Sequence, residues 1–350
     1  MEKTNFNETR RYDLGKNNGY RFLSVLMKWE TVLILILTAI VIANTFLSPY
    51  FLDVNNLLDT TFNFSEKTTI ALIMAFVIIA GDIDISVASI VALSSVFMGL
   101  ASSMGADTPT IVSVGLLSGL AMGSLNGFLI TRFNIPSIAV TLGTMSLFRG
   151  IAYAILGDQA YTKFPPGFDY FGQGYIGNTP IPFELVLLGI LALIAGFVLH
   201  HTSFGRHTYA IGSNLQAAKF SGVPVSRVRF LIFSTTGLLC GLASIMLTSR
   251  ILSTRPNMGT GLEFEAITIV ILGGVAITGG EGTMFGVVLS TFILGFLKFG
   301  MALVNIPGRV MNIVTGSLLI FAILVPIAMK GMRNSVELRA QKKTLAPGES

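Results

Sequence analysis

Ten stretches of this sequence are apolar for long enough to cross, or nearly cross, a lipid bilayer: 31–48, 66–80, 87–104, 109–131, 137–156, 182–200, 229–250, 264–278, 284–304 and 309–329. A helix of about 20 apolar residues spans roughly 30 Å of hydrocarbon. Within that hydrocarbon every backbone N–H and C=O needs a partner, and helices supply one segment by segment. The chain therefore reads as an all-α, polytopic membrane protein with about ten transmembrane helices. The second and eighth stretches are short and run into glycine-rich sequence, which marks them as broken or tilted and leaves nine or eleven spans open.

Composition agrees with that reading. Charged residues make up 12% of the 350, and hydrophobic residues 52%, whereas a soluble domain carries roughly 25% charged residues. Disordered chains, coiled coils and disulfide scaffolds are excluded. Cys240 is the single cysteine and cannot close an intrachain disulfide. The net charge of +5 would suit nucleic acid only if the basic residues formed a stripe among exposed aromatics, and they do not. Membrane lipid is the expected surrounding, and no nucleic acid.

The basic residues lie at the chain ends and between apolar runs, which sets an orientation. With an N-in, C-in topology, inside segments hold Lys3, Arg10, Arg11, Lys16, Arg21, Lys28, Arg132, Arg206, Lys219, Arg227, Arg229, Lys330, Arg333, Arg339, Lys342 and Lys343. Outside segments hold Lys67, Lys163, Arg250, Arg255 and Arg309. That asymmetry follows the positive-inside rule. The resulting division is a cytoplasmic N-terminal segment (1–30), a membrane domain (31–330) with a cytoplasmic loop at 201–229, and a cytoplasmic tail (331–350). The first 28 residues are too polar and too long to open a cleaved secretory signal.

Gly115, Gly119, Gly123 and Gly127 form three GxxxG steps on one face of the fourth stretch, and Gly237 and Gly241 repeat the device in the seventh. Between helices in lipid, small residues that allow close backbone approach drive packing, so these glycines are assigned to helix packing. Asn134-Ile135-Pro136 and Asn305-Ile306-Pro307 follow the fourth and ninth stretches. Five spans apart, they would face opposite sides of the membrane, as in the inverted repeats of transporters.

Charged residues at membrane depth are costly and point to function. Asp82 and Asp84 lie between the second and third stretches, and Glu263 and Glu265 open the eighth; Arg149 and Lys298 fall within spans. These six are candidates for a translocation pathway, with carboxylates and cations neutralising one another. The alternative is that the four acids cap helix N-termini at the interfaces. The run from Leu272 to Gly282 holds Gly273, Gly274, Gly279 and Gly280 and cannot be a simple helix. No GxxxxGK[ST], HExxH, CxxC or GxSxG occurs. The sequence thus points to no catalytic residues, no metal and no cofactor.

In the loop 201–229, Asn214 can cap a short amphipathic helix starting at Leu215, and Gly222 with Pro224 can end it. A capped helix in an otherwise tight-loop protein is read as a docking surface.

At this point the sequence resembles the permeases of bacterial ABC sugar importers, in the ribose, xylose and autoinducer-2 branch. The likeness rests on Gly81-Asp82-Ile83-Asp84-Ile85-Ser86-Val87, Thr141-Leu142-Gly143-Thr144-Met145, Gly212-Ser213-Asn214 through Ala217-Ala218 to Ser221-Gly222-Val223, and Leu272-Gly273-Gly274 through Gly279-Gly280-Glu281-Gly282. Ala80 and Ala88 stand where family members often carry glycine. The resemblance implies a non-enzymatic subunit of the bacterial inner membrane, paired with a second permease chain. ABC ATPase subunits would dock through Asn214, Gln216, Ala217, Ala218 and Gly222, and a periplasmic sugar-binding protein would deliver the substrate. The outer segment from Leu156 to Tyr175 resembles the rhamnose-type subgroup. Rival readings are an ion-coupled secondary transporter of a small polar solute, a membrane-embedded enzyme and a structural scaffold.

Overall fold

The computed structural model describes residues 29–324. The N-terminal segment up to residue 28, the tail, and residues 325–329 of the last apolar stretch lie outside the described residues, as do the basic residues of both termini. Among the described residues the chain is helical, and its two isolated β-bridges both involve the 157–182 connection.

Among the described residues each of the ten apolar stretches contains a helix. Six are long and apolar enough to span by themselves: α1 (Trp29–Leu47), α5 (Thr108–Phe133), α6 (Ser137–Leu156), α8 (Phe183–His201), α11 (Val225–Ile251) and α13 (Met284–Leu303). The second stretch is the later part of a bent pair. Val54–Asn63, which is α2 (Val54–Asp59) plus one 3-10 turn, meets α3 (Ser65–Ile79) at 58°. The other stretches are shorter: α4 (Val87–Ser103), α12 (Leu262–Leu272) and α14 (Gly308–Leu324). Short helices outside these are α7 (Tyr170–Gln173), α9 (Ser203–Ser213) and α10 (Leu215–Phe220).

The eighth stretch, 264–278, is therefore not one helix to its end. At 11 residues α12 rises only about 16 Å, roughly half the hydrocarbon. Its end repeats that of α3 bond for bond. In α3, Ala80 N–H donates to Phe76, Gly81 to Ile78 and Asp82 to Val77; in α12, Gly273 donates to Ile269, Gly274 to Ile271 and Val275 to Val270. Gly81 (φ +79°) and Gly274 (φ +87°) take the left-handed turn that closes such an end.

Asn134 (φ +54°) and Asn305 (φ +58°) likewise share a left-handed backbone. In both copies the following Ile-Pro leads straight into a helix, α6 and α14. Asparagine tolerates this conformation because its short polar side chain can bond locally.

The core is built around α3, α4, α5 and α11. The glycine ridge of α5 faces the ridge of α11 without intervening side chains. A Cβ on Gly119 would strike the Gly237 carbonyl oxygen and lie 2.8 Å from Gly241 Cα; one on Gly123 would strike the Phe233 carbonyl and lie 2.6 Å from Gly237 Cα. Gly115 sits against Met98 and Ile245, and Gly127 against Phe230 and Phe233. On the periphery, Asn44 of α1 donates to the Phe296 carbonyl at 3.0 Å, and Trp29 Nε1 to the Leu272 carbonyl at 2.9 Å.

Candidate functional site

The candidate site residues fall mainly at two ends of the bundle. The first is organised by α9 and α10. Thr202 caps α9, its hydroxyl accepting from Gly205 N–H at 3.3 Å. The sequence reading missed α9 because Gly205 and Gly212 lower its helix propensity; Gly205 is required by contact, since a Cβ there would strike the Leu199 carbonyl. Asn214 caps α10, its Oδ1 accepting from Ala217 N–H at 2.9 Å. Gly222, with φ +80°, ends the turn. Asn214, Gln216, Ala217 and Gly222 are exposed and Ala218 is buried beneath them. The ring of Phe220 is 91% exposed, an apolar side chain that the sequence reading did not single out. Burial pushes the Tyr209 phenol above its ordinary value, and its hydroxyl donates to the Gly282 carbonyl at 2.6 Å.

The segment entering α10 is welded to the broken ends of α3 and α12. Gly212 packs on the Ile79 carbonyl and on Gly280 N–H, where no Cβ would fit. A Cβ on Gly279 would lie 2.9 Å from Gly81 Cα and 3.2 Å from Gly212 Cα. Gly280 N–H itself donates to the Ile79 carbonyl at 2.9 Å. Four glycines from three separate stretches thus form one backbone-on-backbone junction.

Asp82 lies just past that junction. Its carboxylate is buried and gripped by the Arg229 guanidinium, whose Nε donates to Oδ2 at 2.7 Å while a terminal nitrogen reaches Oδ1. Such two-point pairs are among the stronger hydrogen bonds in proteins. Asp84 does something else: it accepts from Ser86 N–H at 2.8 Å and Ser86 Oγ at 2.6 Å at the start of α4.

The opposite end of α3 and α12 carries a second charged group. Glu265 is shared by two ammonium groups, Lys298 at 2.8 Å and Lys67 at 3.2 Å. Beside it Arg250 Nη2 donates to Glu66 at 2.8 Å and Nη1 at 3.2 Å. Glu184, buried nearby, leaves Oε2 without a hydrogen-bond partner. Glu66, Lys67, Arg250 and Glu184 were not among the expected pathway residues. Their sequence signal was the Glu66-Lys67 pair opening the second stretch and the arginine closing the seventh.

Of the six expected residues, the structure thus pairs Lys298 with Glu265, while Arg149 and Glu263 interact electrostatically without an ion pair within 4 Å among the described residues. Arg149 donates instead to the carbonyls of Pro256 at 2.6 Å and Met258 at 2.9 Å. Glu263 accepts from Gly261 N–H at 3.2 Å, a local cap at the start of α12. The six do not gather in one place: Asp82 and Asp84 lie at the α10 end of α3, while Glu265 and Lys298 lie at the far end. Among the described residues no cluster of three or more His, Cys, Asp or Glu could hold a metal.

The 157–182 connection closes the far end. Tyr161 pairs with Thr254, and Tyr175 with Pro182. Tyr175 Oη donates to Asp59 at 2.8 Å, and this bond holds the phenol above its ordinary pKa.

Comparison with known proteins adds a family to this geometry. Residues 56–323 match the family described as "Branched-chain amino acid transport system / permease component". The chain is 36% identical to the ribose import permease RbsC of Escherichia coli strain K12 over 312 residues, covering 87% of this chain and 95% of the relative. It is 36% identical to RbsC of Bacillus subtilis strain 168 over 288 residues, 82% and 89% of the two chains. It is 32% identical to the autoinducer 2 import permease LsrD of Klebsiella pneumoniae over 308 residues, 86% and 92%. No solved structure matches. The chain belongs to this family of transport-system permease components, in the branch that holds the ribose and autoinducer-2 import permeases.

Proposed function

We propose that this protein is the membrane-spanning, non-catalytic subunit of an ABC importer, and that it moves a monosaccharide inward across the bacterial inner membrane. ATP hydrolysis in a partner subunit would drive it. The observation that carries this reading is the glycine junction behind α10. The last turn of α9, which leads directly into the exposed, capped α10, is packed through Gly212 backbone to backbone on the end of α3 and on Gly280 in the loop after α12, so a partner that pushes on α10 reaches both through α9. A linker with no mechanical role has no need of such contacts.

The sugar class is supported by relatives named as ribose and autoinducer-2 import permeases. L-rhamnose is the substrate we favour, on the likeness of the 156–175 segment to rhamnose-type permeases. The orientation rests on the placement of lysine and arginine, with both termini and α10 in the cytoplasm. The far end, with Glu265 and Arg250, then faces the periplasm and a sugar-binding protein. Apolar side chains of α6 such as Leu142, Leu147 and Ile151 are exposed, and are available to lipid or to the second permease chain.

The test is purification of the chain expressed with its genomic neighbours. Under the proposal an ATPase subunit co-purifies, and sugar-loaded binding protein stimulates ATP hydrolysis in lipid nanodiscs. A chain that purifies alone and transports a sugar in its absence of ATP would contradict it.

A further inference from the structure

Among the described residues no ion pair involves Asp84, although its side chain is fully buried. The titratable groups that act on it are Asp82, of the same sign and already matched by Arg229, and the Cys240 thiol of α11, which is uncharged at neutral pH. α6 contributes the Ser137 and Thr141 hydroxyls, which lie on the neighbouring backbone of Ile83. A carboxylate taken out of water without a cation is costly enough that such groups neutralise instead.

The hydrogen bonds show where the neutralising proton belongs. Asp84 Oδ1 accepts from Ser86 Oγ at 2.6 Å and from Ser86 N–H at 2.8 Å. Ser86 Oγ in turn accepts from Asn126 Nδ2 of α5 at 2.8 Å. Ser86 and Asn126 are fully buried as well. Two acceptors are left without a hydrogen-bond partner, Asp84 Oδ2 and Asn126 Oδ1. They belong to the two groups that share the one serine hydroxyl. Turning the amide over would leave its oxygen 2.8 Å from a hydroxyl oxygen whose single hydrogen already serves Asp84. Either way a hydrogen is missing, and a carboxylate has none to give.

We propose that Asp84 is a proton-binding site, in which Oδ2–H donates to Asn126 Oδ1 and closes a ring of three hydrogen bonds, from Asp84 to Asn126, from Asn126 to Ser86 and from Ser86 back to Asp84. Each of the three side chains then donates once and accepts once within the ring. The ring ties the break after α3 and the start of α4 to α5, three residues beyond the Gly81 that forms part of the glycine junction. Loss of the proton loosens that tie. Asp84 lies in the break between α3 and α4, and burial pushes its carboxyl up to about 6. A raised native value stabilises the fold fully below the ordinary value of about 3.9, and the contribution fades as pH rises through about 6. The site does not depend on which solute the protein moves.

The test uses the full-length chain in lipid nanodiscs, with its aspartates labelled by carbon-13 at the side-chain carboxyl. Infrared spectra from pH 8 to pH 5 should show a protonated-carboxyl band that grows with a midpoint of about 6. The label should displace this band, which separates it from any proton on the buried Glu184. Asp84→Asn, whose amide N–H can take the place of the carboxyl O–H, should lack the band. Between pH 8 and pH 5 the unmodified chain should gain roughly tenfold in its folding equilibrium relative to Asp84→Asn. Absence of a label-sensitive band at pH 5 overturns the proposal and leaves the gap to a bridging water or a metal cation. A band retained in Asp84→Asn also overturns it, by assigning the proton to another aspartate. If the variant does not accumulate, the labelled spectrum of the unmodified chain decides by itself.

Discussion

Gly280 N–H donates to the Ile79 carbonyl at 2.9 Å, and this bond fastens the loop after α12 to the last turn of α3. Gly212 is pressed against the same two backbone groups. The entry to α10 is thereby in direct contact with the end of α3 and with the loop that follows α12; Lys67 and Glu265 lie at the opposite ends of those two helices.

Gly212→Ala tests that junction. Overpacking of this kind costs about 1–3 kcal/mol, and here the clash is with backbone that cannot rotate away. The variant should insert into the membrane while losing at least tenfold in ATP-coupled uptake. Uptake at the level of the unmodified protein would show that the junction has room to spare.

Phe220→Ser should behave in the opposite way to a core substitution. The ring is 91% exposed, so thermal stability of the isolated chain should change by less than about 0.5 kcal/mol. Co-purification of the ATPase subunit should fall sharply, because a large apolar side chain at an interface centre often dominates binding. Asn214→Ala should weaken the same interaction by removing the cap, worth about 1 kcal/mol, and Asn214→Ser should restore it.

Asp82 and Arg229 form a buried pair, so single and double substitutions should not add. Arg229→Met leaves a buried carboxylate unpaired, at a cost of about 3–5 kcal/mol. Replacing both, as Asp82→Asn with Arg229→Met, should regain most of that loss. The shift in thermal unfolding of the detergent-purified protein measures the cycle. Additive losses would mean that the two side chains act independently.

Gly123→Leu should separate α5 from α11. A Cβ alone would strike the Phe233 carbonyl, and a leucine would force the helices apart along the whole ridge. The expected result is loss of folded protein from the membrane, read as accelerated proteolysis of intact cells' membrane fraction. Gly143→Leu, where a Cβ meets nothing within 4 Å, is the matched control and should accumulate normally.

Much of the architecture was legible because hydrocarbon imposes a simple demand on each span. Each of the ten apolar stretches contains a helix among the described residues, six of them long enough to span alone, and the Asn214 cap and Gly222 stop stand where the residue types required them. The break that begins after Leu272 was legible from its glycines, but the apolar stretch itself runs on to 278. Val275, Ala276 and Ile277 continue the apolar run, yet Gly273 and Gly274 have already ended the helix. The pairing of charges was not legible at all. Asp82 and Arg229 are separated by 147 positions and Glu66 and Arg250 by 184, and only the packing of α3 on α11 brings them together. Arg149 illustrates the same limit, since its hydrogen-bond partners are backbone carbonyls, which every residue possesses.

The central claim is tested most directly by uptake of radiolabelled L-rhamnose and D-ribose in cells that express the chain with its genomic neighbours, compared with Gly222→Asp. The account predicts uptake that requires an active partner ATPase and is lost in Gly222→Asp while the protein remains in the membrane. Uptake that survives inactivation of the ATPase and stops when the proton gradient is collapsed would contradict it and identify an ion-coupled carrier.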